Sequence, residues 1–224
     1  MGKSTVSAGL SRWLADTGLR VDHFREEEIL DRPQFAAVAE EFRTTGTVGL
    51  GTLIAATARF VDAVVASEDD VVIADALVPF IPTLLAMGHG EEAIDAFMND
   101  LTEALAPLCP VMVFLDGSAE AALSRAARRE GEGWLDWYVG KLAGYQVSPP
   151  VTDVASAVTY LRRERAVTLD SVRRKDWGLV VVEGADELPP DEVLQVARRE
   201  LGPWLAKHDG RWRNPVDRPA RDAL

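Results

Sequence analysis

The chain has 224 residues, 47% hydrophobic and 27% charged, with 24 basic against 36 acidic side chains and a net charge of -12. That balance suits one globular domain with room for a small helical insertion, and it excludes collagen, disulfide-stapled miniproteins and disordered tails. A surface this acidic repels a phosphate backbone, so bulk nucleic-acid binding is not expected, although a local basic pocket for one small phosphate is compatible with it. The single cysteine, Cys109, cannot form an internal disulfide, and a Cys/His metal cage is out of reach. No apolar run reaches the roughly 18 residues of a membrane span, and Met1-Gly2-Lys3-Ser4 does not open like a secretory signal. A cytoplasmic protein is the expectation.

Gly2-Lys3-Ser4-Thr5 is the second half of the phosphate-binding pattern GxxxxGK[ST]. Glycine lets backbone N–H groups close on phosphates, lysine reaches the β- and γ-phosphates, and the Ser4 hydroxyl takes a Mg²⁺ position. Val6, Leu10, Trp13 and Leu14 then fall on one helical face, and Gly18 is placed to end that helix. A helix beginning here adds its positive amino end to the lysine. The first half of the loop is absent, and so is the strand that would feed it. In doubly wound nucleotide-binding sheets that strand is central, so its loss predicts a gap flanked by unpaired backbone groups. The simplest reading makes Met1 an internal residue, the position just before the second glycine of the loop, and predicts poor ATP binding by the chain as given.

Four apolar runs read as strands: Leu19 to Phe24, Val71 to Ala74, Val111 to Leu115 and Leu179 to Val182. Continuous rather than alternating apolar residues predict strands buried on both faces of a parallel sheet. Helical spacing occupies the intervals, including Phe35 to Phe42 and Leu53 to Val65 on either side of the Gly-rich stretch Gly46 to Gly51. Alternating strand and helix predicts an α/β layered domain with right-handed crossovers. The apolar face of Leu53 to Val65 suits a core or a homodimer contact equally well. Val151 to Arg174 reads as a helical insertion and Asp209 to Leu224 as a polar tail.

Candidate functional residues follow the strands. After the first run comes Asp22-His23-Phe24-Arg25-Glu26-Glu27-Glu28, where a carboxylate at the strand's carboxyl end faces the ligand crevice and could orient an attacking hydroxyl. A solvated acidic turn is the alternative, and Asp31-Arg32-Pro33 reads as a turn into the next helix. Asp75 ends the second run and has the placement of an aspartate acting on Mg²⁺, or else of a helix cap. The third run passes through Asp116-Gly117-Ser118 into a helix bearing Arg125, Arg128 and Arg129 on one face. Such a cluster can clamp transferring phosphates, and Glu130-Gly131-Glu132-Gly133 gives it the flexible break of a closing lid. The alternative is a solvated basic helix end. Trp134, Trp137 and Tyr138 follow at helical spacing and suit packing better than base stacking.

The order of these features resembles thymidylate kinase and the related deoxynucleoside kinases, from Gly2 to about Tyr145 and again from Leu179 to Leu201. Arg25-Glu26 match the family's Arg-Glu-Pro, with Glu27 in place of the proline. The related nucleoside kinases carry a catalytic glutamate at that turn, which points first to Glu26 and then to Glu27. Asp75 matches the first residue of the family's Asp-Arg, while Ala76 replaces the arginine and the following Leu77 to Pro82 stretch is apolar. Leu115-Asp116 and Ala122-Leu123-Ser124-Arg125 are similar to the lead into the family's lid, and Gly184-Ala185 fall where such kinases pass the adenine ring. The resemblance implies a P-loop three-layer α/β/α domain over residues 1–208 with sheet order 2-3-1-4-5, a lid at about 124–145 and a helical insertion at about 151–175. It implies ATP and Mg²⁺ as cofactors, with Gly2, Lys3, Ser4, Thr5, Gly184 and Ala185 on the nucleotide and Ser4 and Asp75 on the metal. Lys3, Glu26, Glu27, Arg125, Arg128 and Arg129 are then the catalytic candidates, and the acceptor is a nucleotide, a nucleoside or another hydroxylated small molecule such as an antibiotic. A nucleotide-binding regulator that hydrolyses ATP without an acceptor, and a degenerate paralogue serving only as an interaction surface, are the readings from other classes.

Overall fold

The computed structural model describes residues 2–29, 31–75, 80–145, 147–175 and 177–207. Met1, Ala76, the Leu77 to Pro79 part of the apolar stretch and the polar tail from Asp209 lie outside the described residues.

Helix α1 (Lys3–Asp16) buries Val6, Ser7, Leu10 and Leu14, the face marked by the apolar spacing. It ends where Gly18 takes φ +90°, a backbone conformation that side chains with a Cβ rarely adopt. Strand β1 (Val21–Phe24) follows and leads through two short 3-10 turns, Glu26–Glu28 and Pro33–Phe35. Then come α2 (Ala36–Thr45), α3 (Leu50–Ala66), β2 (Val71–Ala74), α4 (Phe80–Ala86) and α5 (Glu91–Ala104). The second half runs β3 (Val111–Leu115), α6 (Ala119–Glu130), α7 (Trp134–Ala143), α8 (Val154–Arg173), β4 (Gly178–Val182) and α9 (Pro190–Lys207). The elements match the expected order, with small shifts at their ends. The first strand starts at Val21 rather than Leu19, and the last at Gly178 rather than Leu179. Helix α8 starts at Val154 because Asp153 caps it: its carboxylate accepts the Ser156 N–H while Ser156 Oγ accepts the Asp153 N–H.

The chain is mixed α/β, with two small parallel sheets. β1 pairs with β2 from Val21 opposite Val71 to Phe24 opposite Ala74, and β3 pairs with β4 from Val111 opposite Gly178 to Leu115 opposite Val182. Successive strand residues serve two different cores. Phe24 is a member of one core and Val72, Met112 and Leu179 pack against it, on residues from α3, α4, α5 and α8. Val180 and Val182 belong to the other, and Ile73, Val111, Val113 and Leu115 pack against it, on α1 and α9. The apolar face of α3 is spent on the first core, through Leu53, Ala56, Phe60, Val61 and Val64. A third cluster unites α6, α7 and α8 around Leu123, Leu142, Val151, Ala157 and Val158.

The expectation of strands buried on both faces fails most completely for β3, which is half-buried along its whole length, while β1 and β2 each bury a single residue. The reason is a slot between the two sheets. A cavity of about 450 Å³ is lined by Val71 to Asp75 on one side and Val111 to Leu115 on the other, so neither strand edge is covered by a neighbour. Among the described residues, no helix is long and apolar enough to cross a membrane.

The first core contains the aromatic group Phe24, Phe35 and Phe60, with ring centroids 5.1 to 6.0 Å apart. Phe24 is fully buried, and the Arg32 guanidinium lies 4.4 Å over its ring. Phe24→Ala removes this contact set and leaves a cavity, and urea denaturation should show a loss of about 3–5 kcal/mol.

Candidate functional site

The amino end of α1 meets the carboxyl ends of β1 and β2. Gly2 precedes the helix in extended conformation, its carbonyl accepts from the Thr5 and Val6 N–H groups, and no side chain caps the Lys3 and Ser4 N–H groups. Lys3 Nζ forms an ion pair with Glu26, the residue two places beyond β1, and both side chains remain about half-exposed. Of the two glutamates expected here, the structure therefore brings Glu26 to Lys3. Glu27 lies 3.5 Å from Arg25 instead. Ser4 and Thr5 sit exposed on the opening turn.

One helical turn further on, the buried Ser7 does what its spacing alone does not announce. Its Oγ lies 3.0 Å from His23 Nε2, 3.1 Å from the Ser4 carbonyl and 3.4 Å from Asp75 Oδ2. Asp75 is itself buried, and its second oxygen, Oδ1, has no hydrogen-bond partner among the described residues. A buried carboxylate oxygen left unsatisfied is costly and suits a cation or a donor that arrives with a ligand. Ser7 and His23 were not singled out in the sequence; the available signal was that Ser7 stands four residues after Lys3, on the same helical face.

Other carboxylates of the acidic turn are committed to structure. Asp22 accepts two hydrogen bonds from Arg32, at 2.6 and 2.8 Å, which leaves it engaged within the fold. That bidentate contact holds the Arg32 guanidinium above its usual pKa. Glu28 binds both Arg25 and Arg32, and its carboxyl is held below the usual range, chiefly by Arg25.

A second cavity of about 410 Å³ opens at the carboxyl ends of β3 and β4, lined by Asp116, Ser118, Arg125, Arg162, Arg165 and Ala185 among others. Asp116 receives Arg165 through both of its oxygens, with Nε at 2.6 Å, and this contact lowers its carboxyl pKa. Arg162 pairs with Glu120. Arg125 is half-buried on the cavity wall with no ion-pair partner among the described residues. The three arginines of α6 thus separate: Arg125 reaches the cavity, whereas Arg128 and Arg129 are exposed and Arg129 pairs with Glu130. Gly131 and Gly133 both take positive φ at the break before α7. Beyond it, Trp134 stacks on Tyr138 with centroids 4.9 Å apart and both pack in the third cluster, while Trp137 is exposed.

Ala185 donates its N–H to the Asp116 carbonyl at 2.8 Å and lines this cavity, and Gly184 supplies the turn before it at φ +62°. Gly117 allows close packing here, since a Cβ at that position would stand 2.6 Å from Asp186 Oδ1. The two cavities share Phe114, Leu115, Leu161 and Arg165, so Lys3, Asp75 and Arg165 line one of them and Arg125 and Arg165 the other. Arg165 and Glu164, both on α8, were missed in the sequence because they lie in a helix with no strand-end signal. Among the described residues no group of three or more His, Cys, Asp or Glu side chains could hold a metal ion alone. No family model matches the chain, and no curated protein matches it.

Glu164 lines the slot, and burial pushes its carboxyl up to about 7 from the ordinary 4.5. The folded chain therefore keeps a proton that the unfolded chain has released. The stabilisation is full below about 4.5 and is lost as pH rises toward 7. Glu164→Gln should gain stability relative to the parent across that interval and hold the advantage above it, as read from urea midpoints at pH 4, 6 and 8.

Proposed function

We propose that the chain is a P-loop phosphotransferase of the thymidylate kinase type, moving a phosphoryl group from ATP to a nucleotide or nucleoside acceptor. The observation that carries this reading is the convergence of Lys3, Glu26 and the unsatisfied Asp75 on an uncapped helix amino end at the carboxyl edge of parallel strands. That edge is where open α/β sheets bind ligands, and a helix amino end favours phosphate. The two cores on opposite strand faces support a three-layer arrangement with β1, β2, β3 and β4 in the roles of second, third, fourth and fifth strands.

In this mechanism Lys3 leaves Glu26 for the donor phosphates. The exchange is cheap because an exposed ion pair of this kind is worth only about 0–1 kcal/mol. Glu26, released, orients the acceptor hydroxyl or phosphate, with Glu27 the second candidate. Ser4 and Asp75 would hold Mg²⁺, and the orphaned Asp75 Oδ1 fits that duty. Bound there, Mg²⁺ would supply positive charge against the phosphates. Arg125 offers its unpaired guanidinium to the transferring group, and Arg165, fixed by Asp116, stands between the two cavities. Ala185, with Gly184, forms the wall for the adenine ring.

The test is acceptor-dependent ADP release, comparing a nucleoside, its monophosphate and unrelated alcohols. It is run on this chain and on one extended upstream by about 15–20 residues, enough for one strand and the first half of the loop. The extended chain should turn over ATP only with an acceptor. Lys3→Ala and Arg125→Ala should each lower kcat by on the order of 10²–10³-fold. Arg128→Ala, at an exposed position, should stay near the parent rate. Turnover indifferent to every acceptor would replace the kinase with an ATP-hydrolysing regulator, and no ATP binding by either chain would end the nucleotide reading.

A further inference from the structure

The two cavities above the strands offer opposite free charges. In the one at the ends of β3 and β4, Arg162 is held by Glu120 and Arg165 by Asp116, while Asp186 accepts the Ser118 N–H at 3.1 Å. The charge left over there is a cation, Arg125. The larger cavity, lined by β2 and β3, is the reverse. Its cations are Lys3 and Arg165, and both are engaged, Lys3 with Glu26 and Arg165 with Asp116. Its acids are Asp75 and Glu164, and neither forms an ion pair among the described residues. Asp75 is only 6% exposed, and its Oδ1 accepts no hydrogen bond there.

The turn after β1 adds to the negative side. Arg25 is held by Glu28 at 2.7 Å and by Glu27 at 3.5 Å, and Arg32 by Asp22 and Glu28. Both guanidinium groups are raised above their usual pKa, Arg25 chiefly by Glu28 with a smaller contribution from Asp75, and Arg32 chiefly by Asp22. Ala76, Leu77, Val78 and Pro79, next in the chain after Asp75, carry no charge of their own. A phosphate brought to this side therefore has to take an arginine from two carboxylates and leave them unpaired. Once Lys3 has gone to the donor, Glu26 is unpaired as well. Like charges gathered where water is partly excluded repel strongly, so the surplus disfavours an anionic acceptor.

The wall formed by α8 supplies a second, separate sign of a cation. Tyr138 and Tyr160 lie near Glu164: burial first, and the Glu164 charge after it, raise both phenols, Tyr138 to about 12. Tyr160 Oη donates to the Pro82 carbonyl at 3.5 Å, and Pro82 lines the same cavity as Glu164. A carboxyl with no cation of its own, beside two aromatic rings and an apolar cavity, is a suitable donor set for a protonated amine. Neutral hydroxyl compounds leave that set unused.

We propose that the phosphoryl acceptor is a hydroxylated amine, an unphosphorylated molecule that presents a protonated amino group to Glu164 and a hydroxyl to Glu26. The inference rests on the phosphotransferase reading and narrows its acceptor. An amino sugar and a nucleoside whose sugar bears an amino group share this chemistry. In the transfer, the acceptor oxygen bonds to the γ-phosphorus of ATP as the bond from that phosphorus to the β,γ-bridging oxygen breaks. ADP leaves with the electron pair, and the hydroxyl proton passes to Glu26. Glu164 touches no reacting atom and holds the amine so that the hydroxyl meets Glu26.

Two matched sets in the ADP-release assay test this: glucosamine, its N-acetyl derivative and glucosamine phosphate, and an aminodeoxythymidine, thymidine and thymidine monophosphate. In at least one set the amine should exceed its neutral analogue by on the order of 10²-fold in kcat/KM, with the phosphorylated member poorest. Glu164→Gln should raise KM for the amine by on the order of 10-fold and leave kcat, and KM for the neutral analogue, unchanged. A neutral or phosphorylated member that matches or beats the amine in both sets would overturn the inference and leave phosphoryl transfer standing. Glu164→Gln acting equally on amine and neutral analogue would remove Glu164 as the amine's partner and overturn it too. ADP release that no acceptor changes would instead end the phosphotransferase reading, and this inference with it.

Discussion

Backbone hydrogen bonding is the constraint on which the rest of this structure hangs. A strand carries donors and acceptors on both edges, and a buried edge without partners is unfavourable by about 1–3 kcal/mol for each unsatisfied group. Among the described strands β1 pairs with β2 alone and β3 with β4 alone, and the slot runs along β2 and β3. The two cores nevertheless span both pairs: Met112 and Leu179 pack with Val72 on one face, and Ile73 packs with Val111 and Val113 on the other. Helices α1, α8 and α9 line the slot between the two sheets. Everything positioned at the carboxyl edge, Lys3 and Asp75 above all, inherits its place from that spacing.

The charge arrangement above the slot follows from the acidity of the chain. With an excess of carboxylates, most arginines find one nearby, as Arg32 does on Asp22, Arg162 on Glu120 and Arg165 on Asp116. A guanidinium already engaged in both directions offers a ligand orientation more than net charge. Arg125 is the different case: half-buried, on a cavity wall and without an ion-pair partner among the described residues. Burial of an unpaired cation is unfavourable in isolation, so the environment of Arg125 gains from an incoming anion. Lys3 sits between these cases, since its pair with Glu26 is exposed enough to exchange.

Much of this was legible in the sequence because short apolar runs ended by an acid mark strands and their functional ends together. Val71 to Asp75 and Val111 to Asp116 are of this kind, and Asp75 and Glu26 came out beside the helix that carries Lys3. The rule says nothing of Asp22, whose partner Arg32 lies beyond a turn whose geometry the residues do not encode locally. Arg165 and Glu164 were invisible for a related reason. They stand mid-helix at ordinary spacing, and only the packing of α8 across the strand ends, 49 residues from Asp116, gives them a role. Spacing identified a common face for Arg125, Arg128 and Arg129, but the third cluster decides which of them is turned inward.

Glu164 ties the slot to the site above it. Its carboxyl shares the cavity with Lys3, Asp75 and Arg165, yet burial lifts it toward neutrality instead of pairing it with the nearby cations. A carboxyl held near its protonation midpoint is sensitive to further loss of water. Filling the apolar part of the same cavity removes water from it and favours the neutral acid, while a cation brought closer favours the anion. The fold therefore places one titratable group where loss of water from the slot and charge brought near Lys3 and Asp75 act on the same side chain. The slot and the carboxyl edge above it therefore form one electrostatic unit.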